Sequence, residues 1–195
     1  MRLLLIACTL FLAGCSAFRP EPLVPEMPDQ NQALTMSSWM MQGRIGIRQP
    51  DRNDSASMEW LQQGRAYRIS LFGPVGQTVA RLEGRSDFIE ISLAGDDERY
   101  IADTPEQLMQ HLMGWSLPVS HAVFWIRGLT DPDLPFTRLD GATGEVAFQQ
   151  AGWEVRANRY QQVNDALLLP GRIRLTHDEL GITLVIHNWE PLTTL

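Results

Sequence analysis

A period of two is the feature that most limits what this chain can fold into. Tyr67, Ile69 and Leu71 alternate with Arg68 and Ser70, and Ile89, Ile91 and Leu93 alternate with Glu90 and Ser92. Trp39 to Arg48 carries the same pattern in Arg44, Ile45, Gly46, Ile47 and Arg48, and Ser55 to Leu61 places Met58 and Trp60 on one face. Successive side chains of a strand point to opposite faces, so each stretch has one apolar face to bury and one polar face for water. Turn residues fall between the runs, at Gln62-Gln63-Gly64, Glu83-Gly84-Arg85, Gly95-Asp96-Asp97 and Gln150-Ala151-Gly152. Half-buried strands joined by short turns make an antiparallel meander.

Four further strands are expected towards the C-terminus: Glu145 to Gln149, Trp153 to Tyr160, Arg172 to His177 and Ile182 to Trp189. Pro170 and Gly171 break the apolar run Leu167 to Leu169 before the third of these. Helices are few. A short one is expected around Asp29 to Ser38. Thr104-Pro105-Glu106-Gln107 reads as a capping box with proline at the first helical position, followed by Leu108, Met109 and Leu112 and stopped by Gly114. Another starts at Pro118, gathers Val119, Ala122, Val123, Trp125 and Ile126, and stops at Gly128. So much sheet with so little helix has two packing solutions. The sheet closes tightly on itself, which is what alternating apolar residues usually do, or the helices cover a concave apolar face and leave a cavity.

Composition narrows the chemistry. The chain has 195 residues, one ordinary domain's worth, with 16 basic against 23 acidic side chains and a formal charge of -7. Every basic residue is arginine, so Schiff-base chemistry and a P-loop lysine are excluded. Acidic balance and arginines scattered singly along the chain argue against nucleic-acid binding.

Met1 to Cys15 runs from Arg2 through the apolar stretch Leu3 to Leu12 into Ala13, Gly14 and Cys15. It reads as a secretory signal over residues 1–14, too short to span a bilayer. The ending Leu12-Ala13-Gly14-Cys15 resembles the bacterial lipobox, whose cysteine receives a diacylglycerol and becomes the acylated first residue. Cys8 then leaves with the signal and Cys15 carries the lipid, so no thiol remains for a disulfide or metal site. Loss of Arg2 makes the body still more acidic, so the anchor is expected to do the membrane binding. Ser16 after that cysteine resembles the sorting signal for the outer membrane. Residues 15–32 form the lipidated N-terminus and a tether with Pro20, Pro22, Pro25 and Pro28, and 33–195 form the folded domain. Roughly 17 tether residues at about 3.1 Å each reach about 50 Å.

No catalytic or metal-binding constellation is found. His111, His121, His177 and His187 lack metal-ligand spacing and read as structural or surface residues. Ser116 and Ser120 beside His121 give only an adjacent pair, which rarely converges into a triad. Asp96-Asp97-Glu98 and Asp131-Pro132-Asp133 read as solvated turns, and Gly43-x-x-Gly46 lies inside a strand without a following helix. One loop is unusual for being apolar: Phe72-Gly73-Pro74-Val75-Gly76, a tight tip that pushes Val75 outward or else folds Phe72 or Val75 back under the sheet.

Taken in order, the lipobox, Trp39-x-x-Gln42-Gly43-Arg44-Ile45-Gly46-Ile47, Met58-Glu59-Trp60, Gly73-Pro74-Val75-Gly76, Trp125-Ile126-Arg127-Gly128-Leu129 and Asn188-Trp189 resemble the LolB family of outer-membrane lipoprotein receptors. The resemblance spans nearly the whole chain. It implies a mainly β fold with a few short helices: an unclosed antiparallel half-barrel with a helical lid over a hydrophobic cavity. It also implies a function. Acyl chains of lipoproteins, taken from a periplasmic carrier of the LolA type, would sit in that cavity and pass to the inner leaflet of the outer membrane without nucleotide hydrolysis. No cofactor beyond the covalent lipid on Cys15 is implied, and a monomer is expected. On this reading the cavity is lined by Ile45, Ile47, Met58, Trp60, Tyr67, Ile69, Leu71, Ile89 and Ile91, with Leu112, Phe124 and Trp125 from the lid. Phe72, Pro74 and Val75 form the membrane-insertion loop. Two positions depart from the family: Val75 stands where leucine is usual, and Gly128-Leu129-Thr130 replaces Gly-Leu-Pro, with proline delayed to Pro132. The competing reading is a lipid-anchored assembly factor with a solid core that binds protein partners.

Overall fold

Cross-strand rows of inward-facing side chains organise the molecule, seen in a computed structural model that describes residues 30–85 and 87–192. The signal, the lipobox cysteine Cys15 and the proline-rich stretch up to residue 29 lie outside the described residues. One row runs Met41, Trp60, Ile69, Leu82, Ile91 across five adjacent strands, and another runs Ile47, Ile182, Leu175, Val155, Phe148. All ten residues are buried. Each such side chain contributes about 1.5–3 kcal/mol when fully removed from water, so a one-residue register slip would expose a whole row.

The chain order is α1 (Gln30–Thr35), β1 (Ser38–Arg48), β2 (Asn53–Gln63), β3 (Ala66–Phe72), β4 (Thr78–Arg85), β5 (Phe88–Leu93) and β6 (Arg99–Ala102), then α2 (Pro105–Met113) and α3 (Val119–Trp125). There follow β7 (Phe136–Arg138), β8 (Val146–Gln150), β9 (Trp153–Asn158), β10 (Gln161–Asn164), β11 (Leu167–Leu169), β12 (Arg172–His177) and β13 (Leu180–Pro191). Eleven strands form one antiparallel sheet in the order β6-β5-β4-β3-β2-β1-β13-β12-β9-β8-β7, while β10 and β11 pair separately. The meander is real from β1 to β6, but the first and last long strands then pair at the centre. β6 and β7 are the two free edges, so the sheet is unclosed. The connection between these edges carries α2 and α3. Topology therefore obliges the two helices to cross from one rim of the sheet to the other, and their buried residues Met109, Val119, Ala122 and Trp125 join the same apolar cluster as the sheet interior.

Several local expectations change. Glu83-Gly84-Arg85 is strand, not turn: Gly84 pairs with Ile89, and a Cβ there would strike the carbonyl of Phe88, so glycine answers a close backbone approach. Gly43 plays the same part against the carbonyl of Val185, at a register shift in β1. Thr104 caps α2 without a side-chain hydrogen bond, so the capping box is absent although proline does open the helix. Leu167–Leu169 is a strand in its own right. Helix α1 begins at Gln30, within the last residues assigned to the tether.

Candidate functional site

The sheet's concave face, the lid helices and the loop after β3 together make the candidate site. Ile45, Ile47, Met58, Trp60, Tyr67, Ile69, Leu71, Ile89, Ile91 and Trp125 are all buried in one contiguous cluster. Leu112 and Phe124 are half-buried against its margin. The residues named from sequence thus converge on one interior, and that interior is closed, with Trp125 and Ile126 at the end of α3 at 0% exposure. Clefts of about 590 and 470 Å³ flank α3. The first lies among Trp115, Pro118, Trp153 and His177; the second lies among Tyr67, Val119, Val123 and Phe124; His121 borders both.

The lid is held by a small polar network that sequence reasoning missed. Gln150 ends β8 and is 2% exposed. Its Oε1 accepts from Trp125 Nε1 at 2.8 Å and from the Asp131 backbone N–H at 2.9 Å. Its Nε2 donates to the carbonyls of Asp131 at 2.9 Å and Leu134 at 3.0 Å. Both faces of the amide are satisfied, as burial demands. Asp131, expected in a solvated turn, is only 5% exposed, and its carboxylate meets His121 Nδ1 at 2.7 Å. The reason is positional: the turn after α3 is drawn beneath the lid to reach Gln150. His121 in turn stacks near Trp125, at 5.9 Å between centroids, and makes no hydrogen bond to Ser116 or Ser120.

Arg127 is a second anchor, met in sequence only as part of a motif. It is 5% exposed, and its Nη1 donates to the carbonyls of Ala33 at 2.6 Å and Met36 at 3.0 Å, while Nε donates to Val123 at 2.9 Å. The guanidinium also lies 5.3 Å from the Phe124 ring centroid. No carboxylate pairs with it among the described residues. Burial pushes its pKa down to about 10, which leaves it cationic at neutral pH, held by carbonyl dipoles and a ring face. One side chain thus joins the end of the lid to the segment through which the N-terminal chain enters the fold.

Some buried polar atoms have no hydrogen-bond partner among the described residues, Tyr67 Oη and Trp39 Nε1 being two of them. Burial, with the charge of Glu106 added, raises the Tyr67 pKa well above the usual phenol, so its O–H stays a donor beside the Phe124 cleft. The loop after β3 closes with Gly76 N–H to the Gly73 carbonyl at 3.0 Å and Gly73 N–H to that of Gln77 at 2.9 Å. Phe72 is half-buried, Pro74 exposed and Val75 87% exposed, so the tip is directed into solvent. Leu34, Ile101 and Phe136 are further exposed apolar side chains, the last two on the free edges β6 and β7.

An open antiparallel sheet wrapped round an apolar interior, with two helices strung between its edges, defines the fold class, an unclosed antiparallel half-barrel. Similar folds are a LolA superfamily protein from Nitrosomonas europaea (TM-score 0.50, 10% identity, 83% of this chain and 89% of that one) and a DUF1329 family protein from Desulfovibrio piger (TM-score 0.57, 7% identity, 85% and 90%). The family model for outer membrane lipoprotein LolB matches residues 37–189. Outer-membrane lipoprotein LolB of Stutzerimonas stutzeri is 39% identical over 198 residues, covering 96% of this chain and 95% of its own. Its counterpart in Pseudomonas paraeruginosa is 36% identical over 200 residues, covering 98% and 97%. The chain belongs to the LolB family of outer-membrane lipoproteins.

Proposed function

We propose that this chain is an outer-membrane lipoprotein receptor that takes cargo acyl chains beneath α2 and α3 and passes them into the bilayer. The observation that carries the reading is the single apolar interior, over which α2 and α3 cross between the sheet's free edges, held there by their own buried side chains and a handful of polar contacts. Magnitudes support it. One acyl chain is worth about 12 kcal/mol at about 0.8 kcal/mol per methylene. The contacts holding the lid are worth about 1 kcal/mol net apiece. Acyl chains that take the place of the lid's apolar side chains keep the interior buried, so opening costs little once cargo is present, while an empty receptor keeps the lid closed and hides its greasy lining. Transfer from one apolar cavity to another, and then to lipid, exchanges like environments, so it needs no nucleotide.

In this scheme a LolA-type carrier delivers the cargo, the acylated Cys15 keeps the receptor at the periplasmic face of the outer membrane, and Val75 enters the bilayer at release. The chain works as a monomer and catalyses no bond change; serine-reactive inhibitors should leave Ser116 and Ser120 unlabelled. The closed interior favours one other reading, an assembly factor with a permanently solid core. An apolar fluorescent probe separates them, since it binds stoichiometrically if the lid opens. Absence of both probe binding and cargo acceptance from a loaded carrier would overturn the receptor reading.

A further inference from the structure

Arginines scattered singly along the chain are brought together by the sheet register. On the outward face, Arg44 of β1 stands across from Val185, which stands across from Arg172 of β12. One step along, Gly46 faces Thr183 and Thr183 faces Arg174; a further step brings Arg48 opposite Gly181. Four arginines thus share one face of three adjacent strands. Arg52, Arg68, Arg85, Arg99 and Arg156 each hold a carboxylate. Arg44, Arg48, Arg172 and Arg174 hold none among the described residues, in a chain with an excess of acid.

Two of them, Arg48 and Arg174, line a groove of about 450 Å³ together with Gly46, Asn53 and Gly181. The Arg48 guanidinium lies over Gly181, at ordinary van der Waals distance from where a Cβ would stand. Asp54 also borders the groove, but its carboxylate is taken by Arg52 at 2.7 Å. Arg156, beside Arg174 in register, is neutralised by Glu154 and Glu145. Arg48 and Arg174 border the groove from β1 and β12, on either side of β13, so an anion lying in it would meet both.

We propose that this groove binds the phosphate headgroups of anionic lipid in the bilayer that carries the protein. Position favours lipid over an acidic protein. Phe72 pairs with Ser57, and Ser57 with Arg44, so the loop from Gly73 to Gln77 projects towards the end of the sheet that holds Arg48. Only one strand, β2, lies between β3 and β1, which puts them two spacings, about 10 Å, apart. The exposed apolar tip and the unpaired arginines therefore approach the same surface together, the pairing of apolar and basic signals that secures reversible membrane binding. The inference rests on the reading that Val75 meets the bilayer.

The test uses the full mature sequence with Cys15→Ala, so that no acyl anchor masks the effect, and vesicles of phosphatidylcholine with or without phosphatidylglycerol. Phosphatidylglycerol should tighten binding, salt should weaken it, and each arginine should be worth roughly fivefold near the anionic surface, so R48Q/R174Q should lose about twenty-five-fold there and nothing on neutral vesicles. R68Q/R99Q, which removes two paired arginines from other strands, should keep the preference. Val75→Gln, polar but uncharged, should weaken binding to both vesicle types and leave their ratio intact, which separates failure of the loop's role from failure of the groove. Phosphatidylglycerol preference surviving in R48Q/R174Q, or complete competition by inorganic phosphate, overturns the proposal. So does a variant that binds vesicles normally while losing only its protein carrier.

Discussion

The indole N–H of Trp125 donates to Gln150 Oε1 at 2.8 Å, joining the last residue of helix α3 to the last residue of strand β8. The same oxygen holds the Asp131 amide, so one buried side chain fixes the lid and the turn that leaves it.

Replacing Gln150 with leucine keeps the volume and strands the Trp125 N–H, the Asp131 N–H and two carbonyls in a dry interior. The expected cost is about 3 kcal/mol, a fall in Tm of roughly 6–12 °C at the usual scaling for a chain this size. Trp125→Phe, which leaves Gln150 its other bonds, should cost less through the hydrogen bond, and the double variant should be less than additive. Amide exchange at Asp131 is the local readout. Protection unchanged in Gln150→Leu would mean that the network does not hold the lid.

Arg127→Met removes the donors that hold the Ala33 and Met36 carbonyls. Methionine fills the stem's space but satisfies neither oxygen, so a loss of about 2–4 kcal/mol is expected, with α1 exchanging its amides before the sheet does. Arg127→Lys should recover only part of this, because an ammonium cannot reproduce the planar fork that reaches Ala33, Met36 and Val123 together. Equal protection of α1 in wild type and Arg127→Met would remove Arg127's anchoring role.

Half-buried strands were legible because their signal is local: Tyr67, Ile69 and Leu71 alternate whatever the rest of the chain does. The latch was not legible. Gln150 sits before a turn, where a polar residue draws no notice, and its role exists only because β8 lies beneath α3. Asp131 misled for the same reason, since an Asp-Pro-Asp turn reads as solvated until the fold draws it under a helix. β6, β7 and β10, three or four residues each, are too short to show a period. Glu83-Gly84-Arg85 looked like a turn because glycine marks both turns and close backbone contacts. The arginine groove was hidden because Arg48 and Arg174 are far apart in sequence and share one groove only because β1 and β12 both pair with β13.

All three tyrosines resist ionisation. Tyr67 and Tyr160 are raised well above the usual phenol by burial, and Tyr100 is raised to about 12 by its hydrogen bond to Asp96, at 2.6 Å. A folded pKa above the unfolded one favours the neutral phenol, so this stabilisation is fully present below about pH 10 and is lost as pH climbs towards and past 12. Absorbance at the phenolate band should therefore stay flat in the native protein through pH 10 to 11 and appear together with alkaline unfolding. Asp96→Asn should return one tyrosine to near 10 ahead of the rest. A native protein that titrates a tyrosine near 10 without that change would contradict the assignment.

Val75, 87% exposed on a loop closed by its own backbone, carries no part of the core. Val75→Glu should leave Tm and cargo acceptance unchanged, because the side chain touches neither the interior nor the lid. Delivery should fall, because a carboxylate at the tip must shed its water or be protonated before it enters lipid, a penalty of a few kcal/mol that translates into at least a hundredfold slower release. Val75→Leu, with one more methylene to bury, should release cargo faster by a few-fold. Reconstituted transfer from a loaded carrier to vesicles gives both rates, and cargo acceptance measured alongside shows which step has changed. Slow acceptance with normal release would place the loop at the carrier rather than the bilayer.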